Sequence, residues 1–367
     1  MPTEAIAGLA SELVSIDSVN PGLVAGAAGE ERIASHIAAW CEAAGLEVVV
    51  DEVAPGRPNV LAVARGAGGG RSLLLNAHTD TVGVVGMEAP LSARIEEGRL
   101  HGRGAYDMKG ALAAAMVTTA RASRLGLRGD VILAAVVDEE VGSIGTARLL
   151  ELTRADAAIA AEPTELSVCS AHKGFLGFEI EVRGRAAHGS RPDLGIDAIT
   201  RMGHVLVRLE ALDAELRSRS GHPLLGTGSL HASLIEGWQE YSSYPARCLL
   251  TGERRLIPGE TRTQVEEELA RLLAGIDGSA RLTFGREPLE TDPEADIVAL
   301  ALKHAGANAA SGVPFWTDAA LLSEAGIPSV VLGPAGEGAH ADVVWVDLAS
   351  LNRCAEIYLA IAEAFCA

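Results

Sequence analysis

Short apolar runs alternate with helix-like runs along much of the chain. The segments 73–77, 130–140 and 156–165 each begin as almost continuously apolar stretches, as do strands that are buried on both faces of a parallel sheet. Residues 107–126 are rich in alanine and end at Gly126, which predicts a helix. Because strands and helices alternate in βαβ units, the pattern predicts an α/β domain with a mixed, largely parallel sheet.

The pattern changes in the middle of the chain, where polar and apolar residues alternate as in antiparallel strands with one buried face. A strand, a helix, a strand, a helix and a strand are expected in turn at 173–190, 196–216, 247–258, 260–275 and 280–290. This order is like βαββαβ with one strand fewer, and it predicts a small α+β, ferredoxin-like domain inserted into the larger one. The expected domain segments are 1–171 for the first part of the larger domain, 172–286 for the insertion and 287–367 for the second part.

Acidic and histidine side chains follow several of the predicted buried strands, at the point where each strand ends. His78 and Asp80 follow the run at 73–77, and they point to the same side because strand side chains alternate. In open α/β sheets this carboxyl-terminal edge is where ligands bind. The residues expected to converge there are His78, Asp80, Asp107, Glu139, Glu140, Glu162 and His340.

Two imidazoles and several carboxylates at one sheet edge predict a metal centre. Both groups are good ligands for zinc-like ions, and a shared carboxylate holds two ions roughly 3.5–4 Å apart in dinuclear hydrolases. Glu139 and Glu140 are adjacent, so beyond a strand end one can face the metals while its neighbour faces the substrate. Bound metal lowers the pKa of water towards about 7, and a carboxylate base can then pass the proton to a leaving nitrogen. The residues therefore predict an amide hydrolase.

Composition narrows the classes of partner. The chain has 367 residues, which favours two domains, and its 49 acidic and 30 basic side chains give a formal net charge of −19. Such a surface repels the phosphates of nucleic acids and of anionic membranes, so neither is expected as a partner. The start lacks a signal-peptide pattern, no run of 18 apolar residues is present, and the five cysteines are scattered. We therefore expect a cytoplasmic protein.

A set of motifs resembles that of a known family. In chain order they read NAHTDTVG, GRGAYDMKG, DEEVGSIG, AEPTE, RGRAAHGSRP, ERRLIPGET, WTDAALLSEAGIPSVVLGPA and GEGAH. Together they span nearly the whole chain and resemble the M20 metallohydrolases, which include acetylornithine deacetylase, succinyl-diaminopimelate desuccinylase, aminoacylases and glutamate carboxypeptidases. The resemblance implies a zinc-peptidase-like catalytic domain with an inserted lid domain that also dimerises, and hence a homodimer.

The same resemblance, carried over position by position, implies the metal ligands. One of two divalent ions, Zn²⁺ or alternatively Co²⁺, would be held by His78 and Glu162, and the other by Glu140 and His340. Asp107 would bridge the two ions and be followed by a cis peptide bond.

Further roles follow from the resemblance alone. Glu139 would be the general base, and Asp80 would orient His78 and fix its tautomer. In the lid, His188 would donate to the carbonyl oxygen of the substrate, often from the partner subunit. Arg255 would grip a substrate carboxylate, which a guanidinium matches bidentately, and Arg254 is the neighbouring competitor for that role.

Three positions depart from the pattern of the family. Val344 stands where many relatives carry a glutamate four residues after the last histidine, Ser242 replaces a usual asparagine, and Glu253 stands where aspartate is common. We expect the Val344 departure to loosen the hydrogen bonding around His340. The other two affect the identity of the substrate.

The sequence thus predicts an enzyme that removes the acyl group from an N-acyl amino acid, with acetylornithine-type deacylation as the leading hypothesis. An exopeptidase that cleaves dipeptides or a C-terminal residue is the alternative, since its substrate also presents a carboxylate to Arg255. A non-catalytic metal-binding relative is a third reading, which the presence of Glu139 and Asp107 disfavours.

Overall fold

The computed structural model describes residues 3–367, with side chains from residue 6 onward, and the chain divides into two compact units. The first unit comprises 3–170, Glu290–Ser311 and Thr317–Ala367, and the inserted unit comprises Ala171–Leu289 and Gly312–Trp316. The helices are α1 Thr3–Ser15, α2 Glu31–Ala43, α3 Gly110–Ala122, α4 Ile144–Leu152, α5 Ala198–Ser218, α6 Arg262–Leu272, α7 Asp296–Ala305, α8 Ala319–Glu324 and α9 Leu348–Phe365. The strands are β1 Glu47–Ala54, β2 Arg57–Ala64, β3 Leu73–His78, β4 Arg94–Glu96, β5 Arg99–His101, β6 Val131–Val136, β7 Ala157–Ala160, β8 Cys169–His172, β9 Gly174–Arg183, β10 Ser229–Glu236, β11 Arg247–Leu256, β12 Gly278–Arg286, β13 Leu289–Glu290, β14 Ser311–Val313, β15 Ser329–Val331, β16 Gly336–Glu337 and β17 Trp345–Asp347.

The large sheet is mixed, with parallel strands at its centre. Its order is β1-β2-β6-β3-β7-β15-β8-β13, and β14 pairs with β8. β6, β3, β7 and β15 are mutually parallel, whereas β1, β2 and β8 join them through antiparallel pairs. Every residue of β3, β6 and β7 is buried, as their continuous apolar sequences predict for strands covered on both faces. The predicted α/β fold class is confirmed.

Helices cover both faces of this sheet. The larger hydrophobic core includes residues of α1, α2, α3, α7 and α9. A smaller core, which involves a different set of strand residues, includes Leu149 of α4 and Leu322 of α8. α3 is buried along nearly its whole circumference, and six of its thirteen residues are alanine. Methyl side chains let the neighbouring helices α1 and α9 approach it closely, which fixes the position of its amino-terminal end.

The start of α3 differs from the prediction. We expected one helix from residue 107, but an irregular, kinked turn at Ala105–Lys109 precedes α3, which begins at Gly110. Asp107 has φ −122° and ψ 96°, so its backbone is extended, and the peptide bond between Asp107 and Met108 is cis, as the resemblance implies. The local sequence favours a helix across this turn, but the tertiary structure places Asp107 in a non-helical conformation.

The inserted unit contains a separate sheet with its own core. Its four strands follow the order β10-β11-β9-β12, and all neighbours are antiparallel. Alternate residues of β9, including Phe178 and Ile180, are fully buried against α5 and α6. The arrangement is βαββαβ with two helices on one face, which confirms the predicted ferredoxin-like insertion.

Two further expectations concern the surroundings of the protein. None of the helices within residues 3–367 combines the length and the apolar character that a bilayer crossing needs. The five cysteines, Cys41, Cys169, Cys248, Cys354 and Cys366, are all reduced and buried.

Candidate functional site

Three neighbouring strand ends bring the first candidate residues together. His78 is the last residue of β3, which lies between β6 and β7 in the sheet. Glu139 and Glu140 follow β6, and Glu162 follows β7. Because these strands are parallel, their carboxyl ends share one edge. His78 is 1% exposed and Glu162 is 7% exposed, so these two side chains are buried rather than part of a solvated turn.

The two nitrogens of His78 face different groups. Nε2 lies 3.0 Å from Oδ1 of Asp107 and 3.6 Å from Oε1 of Glu162. Nδ1 lies 2.9 Å from the carbonyl oxygen of Asp80 and 3.4 Å from its Oδ1. A proton on Nδ1 would therefore be held by Asp80, which leaves the Nε2 lone pair pointing towards the carboxylates, where a metal ligand needs it.

A second imidazole meets the same aspartate from the other side. Nε2 of His340 lies 3.2 Å from Oε2 of Glu140 and 3.5 Å from Oδ2 of Asp107. Asp107 thus presents one oxygen to each histidine. The extended backbone at Asp107 places its carboxylate there, in the turn before α3. A carboxylate with this placement can be shared between two cations.

Possible ligand atoms converge in two groups. Atoms of His78, Glu139 and Glu162 lie within 4.8 Å of one another, as do atoms of His78, Asp107 and Glu140. Glu139 therefore stands at ligand distance as well as beside the predicted ligands. The geometry by itself allows it to be either a ligand or a base.

Buried acidic charge dominates the electrostatics of these groups. Burial raises the pKa of Glu139 and Glu162 well above the ordinary glutamate value, and each is raised further by neighbouring carboxylates. Burial likewise raises the pKa of Glu140. Hydrogen bonds to Asp107 and Glu140 raise the pKa of His340 to about 10. Positive charge is thus favoured at this place, and negative charge is in excess.

The donor set fits divalent metal ions. Within residues 3–367, Oε1 of Glu140 is buried and has no hydrogen-bond partner, although a buried carboxylate oxygen is costly to leave unpaired. Imidazole nitrogen with carboxylate oxygen is a borderline ligand set that suits zinc and cobalt. A cation beside Glu140 and Glu162 would also offset the mutual repulsion of these carboxylates.

Asp80 organises the backbone of the two adjacent glutamates. Its carboxylate accepts from the amides of Glu139 and Glu140, each at 3.2 Å, and from Nδ2 of Asn20 at 2.7 Å. Asn20 also donates to Asp138, at 3.0 Å. Sequence reasoning missed Asn20, whose signal is a polar residue before proline in SVNP.

Asp318 lies near Glu139 and Glu162, but its carboxylate accepts a hydrogen bond from a residue outside the cluster. Oγ1 of Thr146 donates to its Oδ2 at 2.6 Å, and burial raises the pKa of Asp318 to about 6. This bond ties Asp318 to Thr146 in the first turn of α4.

The two predicted substrate contacts belong to the inserted unit. His188 is exposed, and its Nδ1 lies 2.8 Å from Oγ of Ser190. The side chain of Arg255 is 33% exposed, and its Nε donates to Oε1 of Glu253 at 2.6 Å. Arg254 is instead 1% exposed and engaged by neighbouring acids. Of the two arginines, Arg255 is the one available to a ligand.

Comparisons with known proteins agree with this fold. The sequence model described as Peptidase family M20/M25/M40 matches residues 74–364. An acetylornithine deacetylase from Myxococcus xanthus is 33% identical over 345 residues, which cover 89% of this chain and 90% of that protein. Two solved structures share the fold. A tripeptidase from Staphylococcus aureus subsp. aureus Mu50 aligns with a TM-score of 0.80 at 20% identity, covering 100% of this chain and 99% of that one. A dinuclear metal binding peptidase from Bacillus subtilis aligns with a TM-score of 0.75 at 17% identity, covering 99% and 98%. The chain is therefore a hydrolase that belongs to Peptidase family M20/M25/M40.

Proposed function

We propose that this protein is a dinuclear zinc amidohydrolase that deacylates an N-acyl amino acid, with an N-acetylated ornithine-like compound as the leading substrate. The observation that carries the proposal is Asp107, whose two carboxylate oxygens each face a different histidine of one buried acidic cluster. The relative from Myxococcus xanthus, named acetylornithine deacetylase, supports the choice of substrate.

The ligands divide naturally around Asp107. His78 and Glu162 would hold one ion, Glu140 and His340 would hold the other, and Asp107 would contact both. The distances between Nε2 of each histidine and its neighbouring carboxylates, 3.0–3.6 Å, support this division. Bound divalent cations act as Lewis acids that polarise a carbonyl and lower the pKa of water towards about 7.

Glu139 would carry the proton. Its backbone amide is held by Asp80, and its side chain lies beside Glu162 and His78. Glu139 must be ionised to accept a proton. The acidic surroundings that raise the pKa of Glu139 then stabilise the carboxylic acid that forms when it accepts one. The acid form can then protonate the leaving nitrogen, so that the amide becomes a carboxylate and an amine.

The inserted unit would complete substrate recognition. Arg255 is the exposed arginine of its pair and would hold the carboxylate of the amino acid, while His188 would donate to the carbonyl oxygen. The net charge of −19 favours the approach of a cationic substrate such as an ornithine derivative.

We also propose that the protein forms a homodimer through the inserted unit. β10 is the terminal strand of its sheet, and such an edge can pair with a second chain. Leu234 and Ile235 on this strand are 64% and 53% exposed, and Trp238 just beyond it is 84% exposed. An apolar edge of this kind favours an interface.

A panel of substrates tests the proposal. Protein loaded with zinc or cobalt is assayed for amine release from N-acetyl amino acids including acetylornithine, from N-succinyl amino acids, and from dipeptides and tripeptides. We expect preference for one N-acetyl amino acid. Preference for free peptides would instead assign the exopeptidase alternative, which the tripeptidase fold neighbour supports, and would keep the same ligands.

Glu139→Gln tests the base. We expect kcat to fall by about 10²–10⁴-fold with two metals still bound, because the amide keeps the shape but cannot accept the proton. Glu151→Gln, at the exposed end of α4, is the matched control and should leave kcat unchanged. Loss of metal together with activity in Glu139→Gln would show that Glu139 is a ligand instead.

A further inference from the structure

His340 is positioned differently from the other proposed ligands. His78, Glu140 and Glu162 follow strands of the large sheet, whereas His340 lies in the loop between β16 and β17, and its side chain is 60% exposed. Val344, four residues later, is buried and apolar, so it gives this loop no side-chain hydrogen bond. A loop that supplies a metal ligand needs another anchor to hold the ring in place.

Arg103 contacts the backbone on both sides of this histidine. Its Nη1 donates to the carbonyl oxygen of Ala339 at 2.7 Å, and its Nη2 donates to that of Ala341 at 3.0 Å. Its Nε donates to the carbonyl oxygen of Gly83 at 3.1 Å, in the segment that follows β3. One guanidinium therefore ties the two residues that flank His340 to the strand that ends in His78.

The chemistry of the group suits this task. Arg103 is 3% exposed, so its donors are protected from competing water. The guanidinium is planar and offers its donors in a fixed fork, whereas the ammonium of lysine is a single point on a flexible chain. Its charge also lies near Asp107 and Glu140, the two carboxylates that Nε2 of His340 faces.

We propose that Arg103 is a positioning residue that holds His340 ready to bind the second metal ion, which is the ion that Glu140 and His340 would hold. The inference rests on the proposed function, since it assumes that His340 is a ligand. Arg103 touches neither the substrate nor the reacting atoms in this account, and it acts only by fixing the backbone at positions 339 and 341.

Cobalt binding to the metal-free protein provides the test. Co²⁺ is titrated into wild type, Arg103→Met, His340→Ala and the double variant, with the visible absorption of bound cobalt and calorimetric heat as readouts. We expect Arg103→Met to bind the first ion as wild type does and the second about 10- to 100-fold more weakly. In the His340→Ala background the same substitution should have no further effect, because its only route to the metal has been removed.

The controls separate positioning from a general structural role. Arg94→Met removes an exposed arginine from the neighbouring strand β4 and should leave both binding steps unchanged. Arg103→Lys should recover part of the second affinity, because an ammonium can reach some of the same carbonyls. If Arg103→Met fails to fold, hydrogen exchange on wild-type apoprotein decides. Slow exchange of the amides around 338–341 is expected, and exchange as fast as in an unfolded peptide would overturn the proposal.

The possible failures are distinguishable. Wild type that binds fewer than two ions would contradict the proposed function. Wild type that binds two ions, with Arg103→Met binding both equally well, would overturn the role of Arg103 alone. An effect of Arg103→Met that persists undiminished in the His340→Ala background would also overturn it.

Discussion

The two units each bury a group of charged side chains, and the two groups are built on opposite principles. In the inserted unit, Arg254 is 1% exposed and donates to Glu260 and Glu268, while Arg219 donates to the other oxygen of Glu268 at 3.0 Å. Two positive and two negative groups cancel there. In the first unit the group has four largely buried carboxylates, the buried imidazole of His78 and the more exposed imidazole of His340, and the carboxylates are those of Asp107, Glu139, Glu140 and Glu162.

The difference separates structure from function. A balanced group holds its own counter-ions, so it fixes the inserted unit and asks for no ligand. An acid-rich group raises the pKa of Glu140 and Glu162 and leaves an oxygen of Glu140 unpaired among the described residues, so added positive charge would complete it. Charge balance therefore points to the same candidate site as the family motifs do.

Removing the metal should have the largest effect, and it should act on the acid-rich group of the first unit. Exhaustive chelation should lower turnover by about 1000-fold or more, because several kcal/mol of transition-state stabilisation is lost. Adding free zinc at about 1000 times its Kd should restore activity and raise the free energy of unfolding by about 4 kcal/mol. Turnover and calorimetric unfolding measure the two effects. Full activity in excess chelator would remove the metal from the mechanism.

Breaking the balanced group should cost stability alone. We expect Arg254→Met to lower the free energy of unfolding by about 3–5 kcal/mol, because Glu260 and Glu268 are left without their shared partner. Metal stoichiometry should not change. Urea denaturation measures the loss, and Arg281→Met, which breaks an exposed pair with Glu179, should change stability by less than about 0.5 kcal/mol. Equal effects of both variants would refute the distinction.

Removing a carboxylate should have opposite signs in the two groups. In excess chelator, Glu162→Gln should raise the free energy of unfolding by about 1–2 kcal/mol at neutral pH. Folding raises the pKa of Glu162, so above the ordinary glutamate pKa the unfolded chain ionises more readily than the folded chain, and the carboxyl group lowers stability. Glu268→Gln should lower it, because Arg254 and Arg219 lose an acceptor. Denaturation curves of both variants, with and without zinc, provide the measurement. Destabilisation of the metal-free protein by Glu162→Gln would contradict the charge argument.

The last prediction concerns how stability depends on pH, through a buried lysine of the first unit. Burial lowers the pKa of Lys109 from 10.5 to about 7, while its Nζ donates to the carbonyl oxygen of Ile16 at 2.7 Å. Between these two pKa values the unfolded chain binds a proton that the folded chain lacks, so stability rises with pH. Lys109→Met should remove a slope of about 1 kcal/mol per pH unit between pH 7 and 9. Lys303→Met, at an exposed position, should keep the wild-type slope.

The candidate site residues at strand ends could be predicted from the sequence, whereas the residues that hydrogen-bond to the site from distant segments could not. His78, Glu140 and Glu162 lie at the ends of apolar strands, and the apolar pattern indicates that these strands are parallel. Because the carboxyl ends of parallel strands share one edge of a sheet, the sequence predicts that the three residues converge. Asn20 and Arg103 bond to carboxylate and carbonyl oxygens from segments far away in sequence. No periodicity encodes such contacts, although Arg103 stands within a motif that the resemblance includes.

The start of α3 shows the other kind of shortfall. The run of alanines after Asp107 has high helix propensity, and propensity alone extends the helix over the residue that must leave it. The observed helix begins at Gly110, and Asp107 turns its carboxylate between two histidines that lie about 30 residues before it and more than 200 after it. That demand comes from the assembled site, which only the tertiary structure contains.

The alanine-rich helix has a consequence for how such an enzyme can change. α3 is buried almost all the way round, so it has little surface on which substitutions pass unnoticed, and any larger side chain would displace a neighbour. Since α3 directly follows the turn that carries Asp107, larger side chains in α3 would also move the proposed metal ligand Asp107. Variation in this part of the protein is restrained by volume rather than by chemistry. The surroundings of Arg255 in the inserted unit are partly open to solvent, so substitutions there are less restrained by volume than substitutions in α3.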